Sequence, residues 1–198
     1  MWNRLQSLLF SAKHTSDASG QGESFARGRL RLLVADITTL QVEAIVNAAN
    51  ESLLGGGGVD GAIHAAAGPE LLKECRELGG CPTGQARLTK GYRLPARYVI
   101  HAVGPIYRDG RQGEEHLLQS CYREALKLSV ENRLGSIAFP CISTGIFGYP
   151  KEEACRIAIA TVRDWLNSHD LPREVVFCCY SAADGQVYRQ QLLGTQTE

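Results

Sequence analysis

The chain has 198 residues, 44% of them hydrophobic, which is enough for one globular domain with a sizeable core. Lys and Arg number 21 and Asp and Glu number 21, so the formal net charge is zero; that excludes a strong general attraction to nucleic acid or to a membrane surface. The 7 cysteines form no CxxC pair and mostly sit in apolar runs, which reads as reduced, buried thiols and not as a disulfide framework.

The opening MWNRLQSLLFSAK could place Trp2, Leu5, Leu8 and Leu9 on one helix face. It lacks the long apolar core and small-residue cleavage site of a secretory signal, so it reads as a frayed or surface-docked tail, with a docking or targeting helix as the alternative. Residues 11–28, SAKHTSDASGQGESFARG, are polar and rich in Ser and Gly, and read as a linker. Residues 1–28 are thus expected to be tail and residues 29–198 a single domain. No apolar run approaches the ~20 residues needed to span a bilayer, and a cytoplasmic monomer is expected.

LRLLV (30–34) and VEAIVNAA (42–49) read as buried strands. After the second come four glycines in a row, Gly55 to Gly58, and then VDGAIHAAAG, a short helix of small residues. PELLKECREL is a helix with Pro69 in its first turn. QARLTKGYRL and RYVIHAVG are predicted strands around a Leu-Pro turn. Residues 114–132 form an amphipathic helix with Leu117, Cys121, Ala125 and Leu128 in one stripe and Leu118, Tyr122 and Leu126 beside it. SIAFPCIS (136–143) is a predicted strand, TGIFGYP a loop, and 151–167 a helix with Ala154, Ile157, Ala158, Thr161 and Trp165 inward. EVVFCCY (174–180) is the last strand and DGQVYRQQLL the last helix. Strands alternating with helices, with near-continuous apolar strands, argue for an α/β sheet covered on both faces. Ligands of such sheets collect at the carboxyl ends of the strands.

Two loops at that rim carry chemistry. Consecutive glycines remove Cβ atoms and let successive N–H groups turn inward as an anion-binding concavity, and a helix N-terminus behind them adds partial positive charge. Gly56, Gly57, Gly58 and Val59 have that arrangement, and so does Ser143, Thr144, Gly145, Ile146 and Phe147 ahead of the helix at Lys151. Two such loops could grip a diphosphate from opposite sides. No Lys follows the glycines, so this is not the ATP-binding P-loop, and GxGxxG is absent.

Around them, Asp36 either accepts from an amine-bearing base or caps the turn at Thr38 and Thr39. Asn50 either donates to a sugar hydroxyl or forms a turn. Asp60 either acts on water or favours the helix dipole as a first-turn acid. Phe147 either stacks on a ligand or plugs the core. His64, Cys75 and Cys81 have the residue types of a zinc site at a spacing that matches no usual pattern; no metal and no cofactor are expected.

VNAAN, GGGGVDGAIH, AAGPEL, GYRLPARYVIHAVGP and AFPCISTGIFGYP occur in order between Arg29 and Leu193, and over that span the sequence resembles the macrodomains, most closely the MacroD-type ADP-ribose hydrolases. The resemblance implies a three-layer α/β/α sandwich with a mixed, mainly parallel sheet. It implies ADP-ribose as ligand: Asp36 and the Ile37 amide at the adenine, Tyr180 stacking near it, the two loops on the diphosphate, Asn50 and Asp60 at the distal ribose and the chemistry, and Phe147 against that ribose. The implied activity is release of ester-linked ADP-ribose from acidic side chains of ADP-ribosylated proteins, or of acetate from O-acetyl-ADP-ribose. The alternative is a non-catalytic reader of ADP-ribose; RNA in the adenosine pocket is disfavoured by the neutral charge. Two departures stand out: Ala35 where the family often has Gly, and Ala65 where Arg is common.

Overall fold

A computed structural model describes residues 22–194; the opening stretch read as a tail or docking helix lies outside the described residues. Among the described residues seven strands form one sheet: β1 (Glu23–Phe25), β2 (Leu30–Val34), β3 (Ala44–Ala49), β4 (Ala86–Lys90), β5 (Tyr98–Val103), β6 (Ser136–Phe139) and β7 (Glu174–Cys179), in spatial order β1-β2-β7-β6-β3-β5-β4. The five central strands are parallel, and antiparallel β1 and β4 close the two edges. The helices are α1 (Gly58–Ala67), α2 (Pro69–Leu78), α3 (Glu114–Glu131), α4 (Lys151–Ser168) and α5 (Ala182–Gly194). No helix among the described residues is long and apolar enough to cross a membrane.

The period-2 alternation of the central strands builds two cores. Ile45, Ala49, Val99, Val103, Ala138 and Val176 face α1 and α2, where Ile63, Ala67, Leu71 and Cys75 meet them. Ala44, Val46, Ile100, Ile137, Phe139 and Phe177 face the other side, against Leu118, Tyr122, Ile157 and Leu192 of α3, α4 and α5. The result is the expected three-layer sandwich. Within α3 the buried face centres on Leu118, Cys121, Tyr122 and Ala125, with Leu117 and Leu128 only half-buried at its margins. The 7 cysteines are free thiols, all buried except half-buried Cys141.

Three of the boundaries that differ from the sequence reading have a cause visible in the chain. β1 and the turn Ala26–Gly28 lie inside the stretch read as linker; Phe25 is 6% exposed and joins the core, so the packed chain begins ahead of Arg29. A three-residue edge strand is too short to leave an alternation signal. β6 ends at Phe139 because Pro140 follows and cannot donate to the ladder; Cys141 to Ser143 therefore already belong to the loop. β4 ends at Lys90, and Gly91 turns the chain through bonds to Arg97 and Leu94.

Candidate functional site

The parallel strands deliver their carboxyl ends to one rim. From β3 the chain runs through Asn50 and the glycines into α1, and from β6 through Ser143 to Phe147 into α4. Asp36 follows β2 and Tyr180 follows β7 on the adjacent strand, joined where the Ala35 N–H donates to the Cys179 carbonyl at 3.0 Å. Tyr180 is 85% exposed, its ring free above the sheet end.

Asp36 is a cap: its Oδ1 accepts from the Thr38 N–H (2.9 Å) and hydroxyl (2.8 Å). Oδ2 has no partner among the described residues, so the cap orients the carboxylate and leaves one oxygen presented. Ile37 is buried beneath it. Ala35 does not adopt a positive φ, so replacing the family's glycine costs no backbone strain here.

The first loop is held open from below by Asn50. Its Oδ1 accepts from the Ser52 N–H (3.0 Å) and hydroxyl (2.6 Å), and its Nδ2 donates to the Gly55 carbonyl (2.9 Å). Gly55 and Gly58 adopt positive φ, and Gly57 caps α1. The N–H groups of Gly56, Gly57, Gly58 and Val59 meet no backbone acceptor among the described residues, as the first turn of a helix requires. In the second loop Ser143 also takes positive φ, while the Gly148 and Tyr149 N–H groups close it onto Gly145 and Ser143. Thr144 donates its hydroxyl to the Cys141 carbonyl at 3.0 Å. Gly145, Ile146 and Phe147 keep their N–H groups unclaimed among the described residues. The loops face each other: a Cβ on Gly57 would lie 3.5 Å from Ile146 Cδ1, and the Ile146 side chain is 87% exposed.

Asp60 sits in the first turn of α1 and is 4% exposed. Its Oδ1 accepts from Asn47 Nδ2 at 2.7 Å, and His64, one turn on, places Nε2 3.5 Å from the same oxygen. The other oxygen points to the glycines. A Cβ on Gly56 would stand 2.9 Å from Asp60 Oδ2 and 3.3 Å from Asn50 Nδ2. Gly56 is thus the point where the carboxylate and the carboxamide converge, and only a residue without a side chain leaves that point clear. Phe147 is half-buried; it lines a cavity of about 580 Å³ with Asn50, Thr83, Gly104, Arg108 and Gln112, and so borders the site instead of plugging the core. On the far side of the glycines a cavity of about 480 Å³ is lined by His64, exposed Ala65 and Arg93.

Two residues behind Asp60 escape a reading of loops. Asn47 and His101 are register partners on β3 and β5, both fully buried, with Asn47 Nδ2 3.1 Å from His101 Nδ1. The signal for them is a polar residue in the middle of an otherwise apolar strand, AIVNAA and YVIHAV. Burial, with His64 adding to it, lowers the His101 pKa from 6.5 to about 3, so the ring is neutral. Donor atoms of His64, Cys75 and His101 lie within 4.8 Å of one another, a spacing a soft cation could use; Cys81, in the zinc set suggested by sequence, is not among them. Burial pushes the Cys75 thiol up to about 11, with Glu74 and Asp60 adding, so Cys75 stands beside the neutral His101 ring as a thiol.

A family model described as Macro domain matches residues 46–158, the span that contains most of β3, both loops and the start of α4. The chain is 61% identical over 163 residues to the Macro domain-containing protein CT2219 of Chlorobaculum tepidum, covering 82% of this chain and 95% of that one. The chain belongs to the macrodomain family. This macrodomain is also 58% identical over 160 residues to the ADP-ribose glycohydrolase MACROD2 of Xenopus laevis, of whose length it spans 38%. Among solved structures, a mutant Oceanobacillus iheyensis macrodomain with ADPR superposes with a TM-score of 0.83 at 45% identity, covering 85% of this chain and 94% of that one. The Trypanosoma brucei macrodomain in complex with ADP-ribose gives 0.78 at 47% identity, covering 82% and 68%.

Proposed function

We propose that this macrodomain binds ADP-ribose and hydrolyses the ester that joins its distal ribose to an acidic side chain of a protein or to acetate. The observation that carries the reading is the convergence of Asp60 Oδ2 and Asn50 Nδ2 on Gly56, between two loops of unclaimed amides. The amides and the N-terminus of α1 suit a diphosphate. Asp36 Oδ2 and the Ile37 amide suit the adenine edge, and the exposed Tyr180 ring suits its face. Similarity to proteins named as ADP-ribose glycohydrolases and to structures holding ADP-ribose supports the same ligand.

In this scheme the anchored diphosphate fixes the distal ribose, and such orientation can contribute ~7–11 kcal/mol at best. Asn50 Nδ2 faces the ribose. Asp60, with Oδ1 committed to Asn47, offers Oδ2 to a water. Water oxygen adds to the ester, the ester C–O bond breaks, and a sugar hydroxyl and a carboxylic acid result. An ordinary carboxylate is a weak base near neutral pH, so the substrate diphosphate is a second candidate to take the water's proton. Unclaimed amides of the glycine loop face the oxygen that gains charge. No step in the scheme is assigned to a metal.

The test is the double substitution Asn50→Ala with Asp60→Ala. Release of ADP-ribose from an acid-linked substrate is expected to fall at least roughly tenfold while ADP-ribose binding persists. Unchanged release would remove these residues from the chemistry; binding without release in the unsubstituted protein would make the domain a reader.

A further inference from the structure

Asp60 is not held by its own loop. Its Oδ1 takes one of the two N–H bonds of Asn47, and the carboxamide orientation is fixed by chemistry, since the opposite flip would set Asn47 Oδ1 2.7 Å from a carboxylate oxygen. The second N–H points at His101 Nδ1, 3.1 Å away, which must therefore carry a lone pair. The His101 proton then sits on Nε2, where the Thr89 hydroxyl oxygen stands 2.9 Å away to accept it, with Cys75 Sγ at 3.7 Å. Thr89 in turn directs its hydroxyl toward the Val99 carbonyl. Asn47 Oδ1 has no partner among the described residues, so this amide is anchored through its nitrogen alone. Asn47, Thr89 and His101 are each at most 2% exposed.

We propose that His101 and Thr89, one and two strands from the strand that leads into the glycine loop, are positioning residues that aim Asp60: Thr89 selects the Nε2–H tautomer of His101, whose Nδ1 lone pair fixes Asn47, whose N–H fixes Asp60 Oδ1 and leaves Oδ2 facing Gly56. This rests on the hydrolase reading above. The opposite tautomer would bring two N–H groups face to face across 3.1 Å, leaving Asn47 held by Asp60 alone and the carboxylate with only that unanchored amide and His64 Nε2, 3.5 Å from Oδ1, to orient it. Neither His101 nor Thr89 touches the substrate, so their effect is on turnover and not on ADP-ribose affinity.

The experiment has three readouts. Nitrogen-15 NMR of the unsubstituted protein reads the His101 tautomer directly; protonation on Nε2 is expected, and protonation on Nδ1 overturns the proposal without any variant. His101→Leu removes the acceptor at similar size, while His101→Asn restores an acceptor oxygen near the Nδ1 position. His101→Leu is expected to lower kcat at least roughly tenfold, with the Kd for ADP-ribose changed less than about twofold, and His101→Asn to recover most of the rate. A folded His101→Leu protein with unaltered kcat, or a His101→Asn protein that binds ADP-ribose normally yet is as slow as His101→Leu, overturns it. If the unsubstituted protein binds ADP-ribose but releases nothing, the hydrolase reading and the positioning role fall together; normal release with an indifferent His101 sinks the positioning role alone.

Discussion

At the scale of single residues, the site depends on what is missing at Gly56. Its φ is not positive, so alanine fits the backbone, but the added methyl would enter within 2.9 Å of Asp60 Oδ2. Gly56→Ala is therefore expected to keep its melting temperature within a few degrees and to lose at least roughly tenfold in turnover, checked by thermal unfolding beside an ADP-ribose release assay. His101 supplies a second prediction, this one in pH. Its folded pKa of about 3 lies below the unfolded 6.5, so between these values the unfolded chain holds a proton that the folded chain refuses. Stability from this group is complete above pH ~6.5 and is lost as pH falls toward 3, by up to about 1.4 kcal/mol per pH unit. The groups facing the ring are His64 on α1, Cys75 on α2, Thr89 on β4 and Asn47 on β3, with Asp60 beyond Asn47. Urea unfolding at pH 7 and pH 5 is expected to show the fall, and His101→Asn to flatten it. The sequence points to Asp60, Asn50 and the glycines because loops with unusual composition stand out. Asn47 and His101 are hidden inside strands, where one polar letter among apolar ones says nothing of its partner until register pairs the two strands.

At the scale of elements, strand ends place the loops. Gly104 follows β5 against the back of the second loop, where a Cβ would collide with Ser143 Oγ and stand 2.7 Å from Ile142 Cγ2. Overpacking of that size costs about 1–3 kcal/mol, and relief comes by pushing the Ser143 segment toward the facing glycines. Gly104→Ala is expected to weaken ADP-ribose binding roughly tenfold or more, measured by calorimetry, and an unchanged Kd would show that the second loop is not a wall of the binding cleft. The long helices α3 and α4 were readable because each carries an extended apolar period, and the central strands because they are buried on both faces. The ends were less so: Pro140 cuts β6 short in a run that is apolar throughout, and β1 is three residues long in a polar stretch. Asp36 illustrates a different ambiguity, since the same carboxylate caps Thr38 with one oxygen and keeps the other presented; capping and binding are compatible, and residue type alone does not separate them.

At the scale of the molecule, a parallel sheet open at both edges is closed by antiparallel strands, and β1 covers one side of β2. Removing β1 would expose the edge of β2 and uncover the core position filled by Phe25. Burial of that ring contributes about 1.5–3 kcal/mol, so a chain beginning at Arg29 is expected to melt roughly 5–10 °C below one that retains residue 22 onward, measured by calorimetric scanning. A chain cut at Arg29 with undiminished melting temperature would make β1 an ornament of the fold. The sandwich itself exists, on this account, to hold two amide-lined loops across from each other above an aspartate aimed from behind. Titration of the protein with ADP-ribose in a calorimeter addresses that claim most directly: a single saturating site with one ligand per chain, competed by ADP, is expected, whereas absence of saturable heat at millimolar ligand would contradict it.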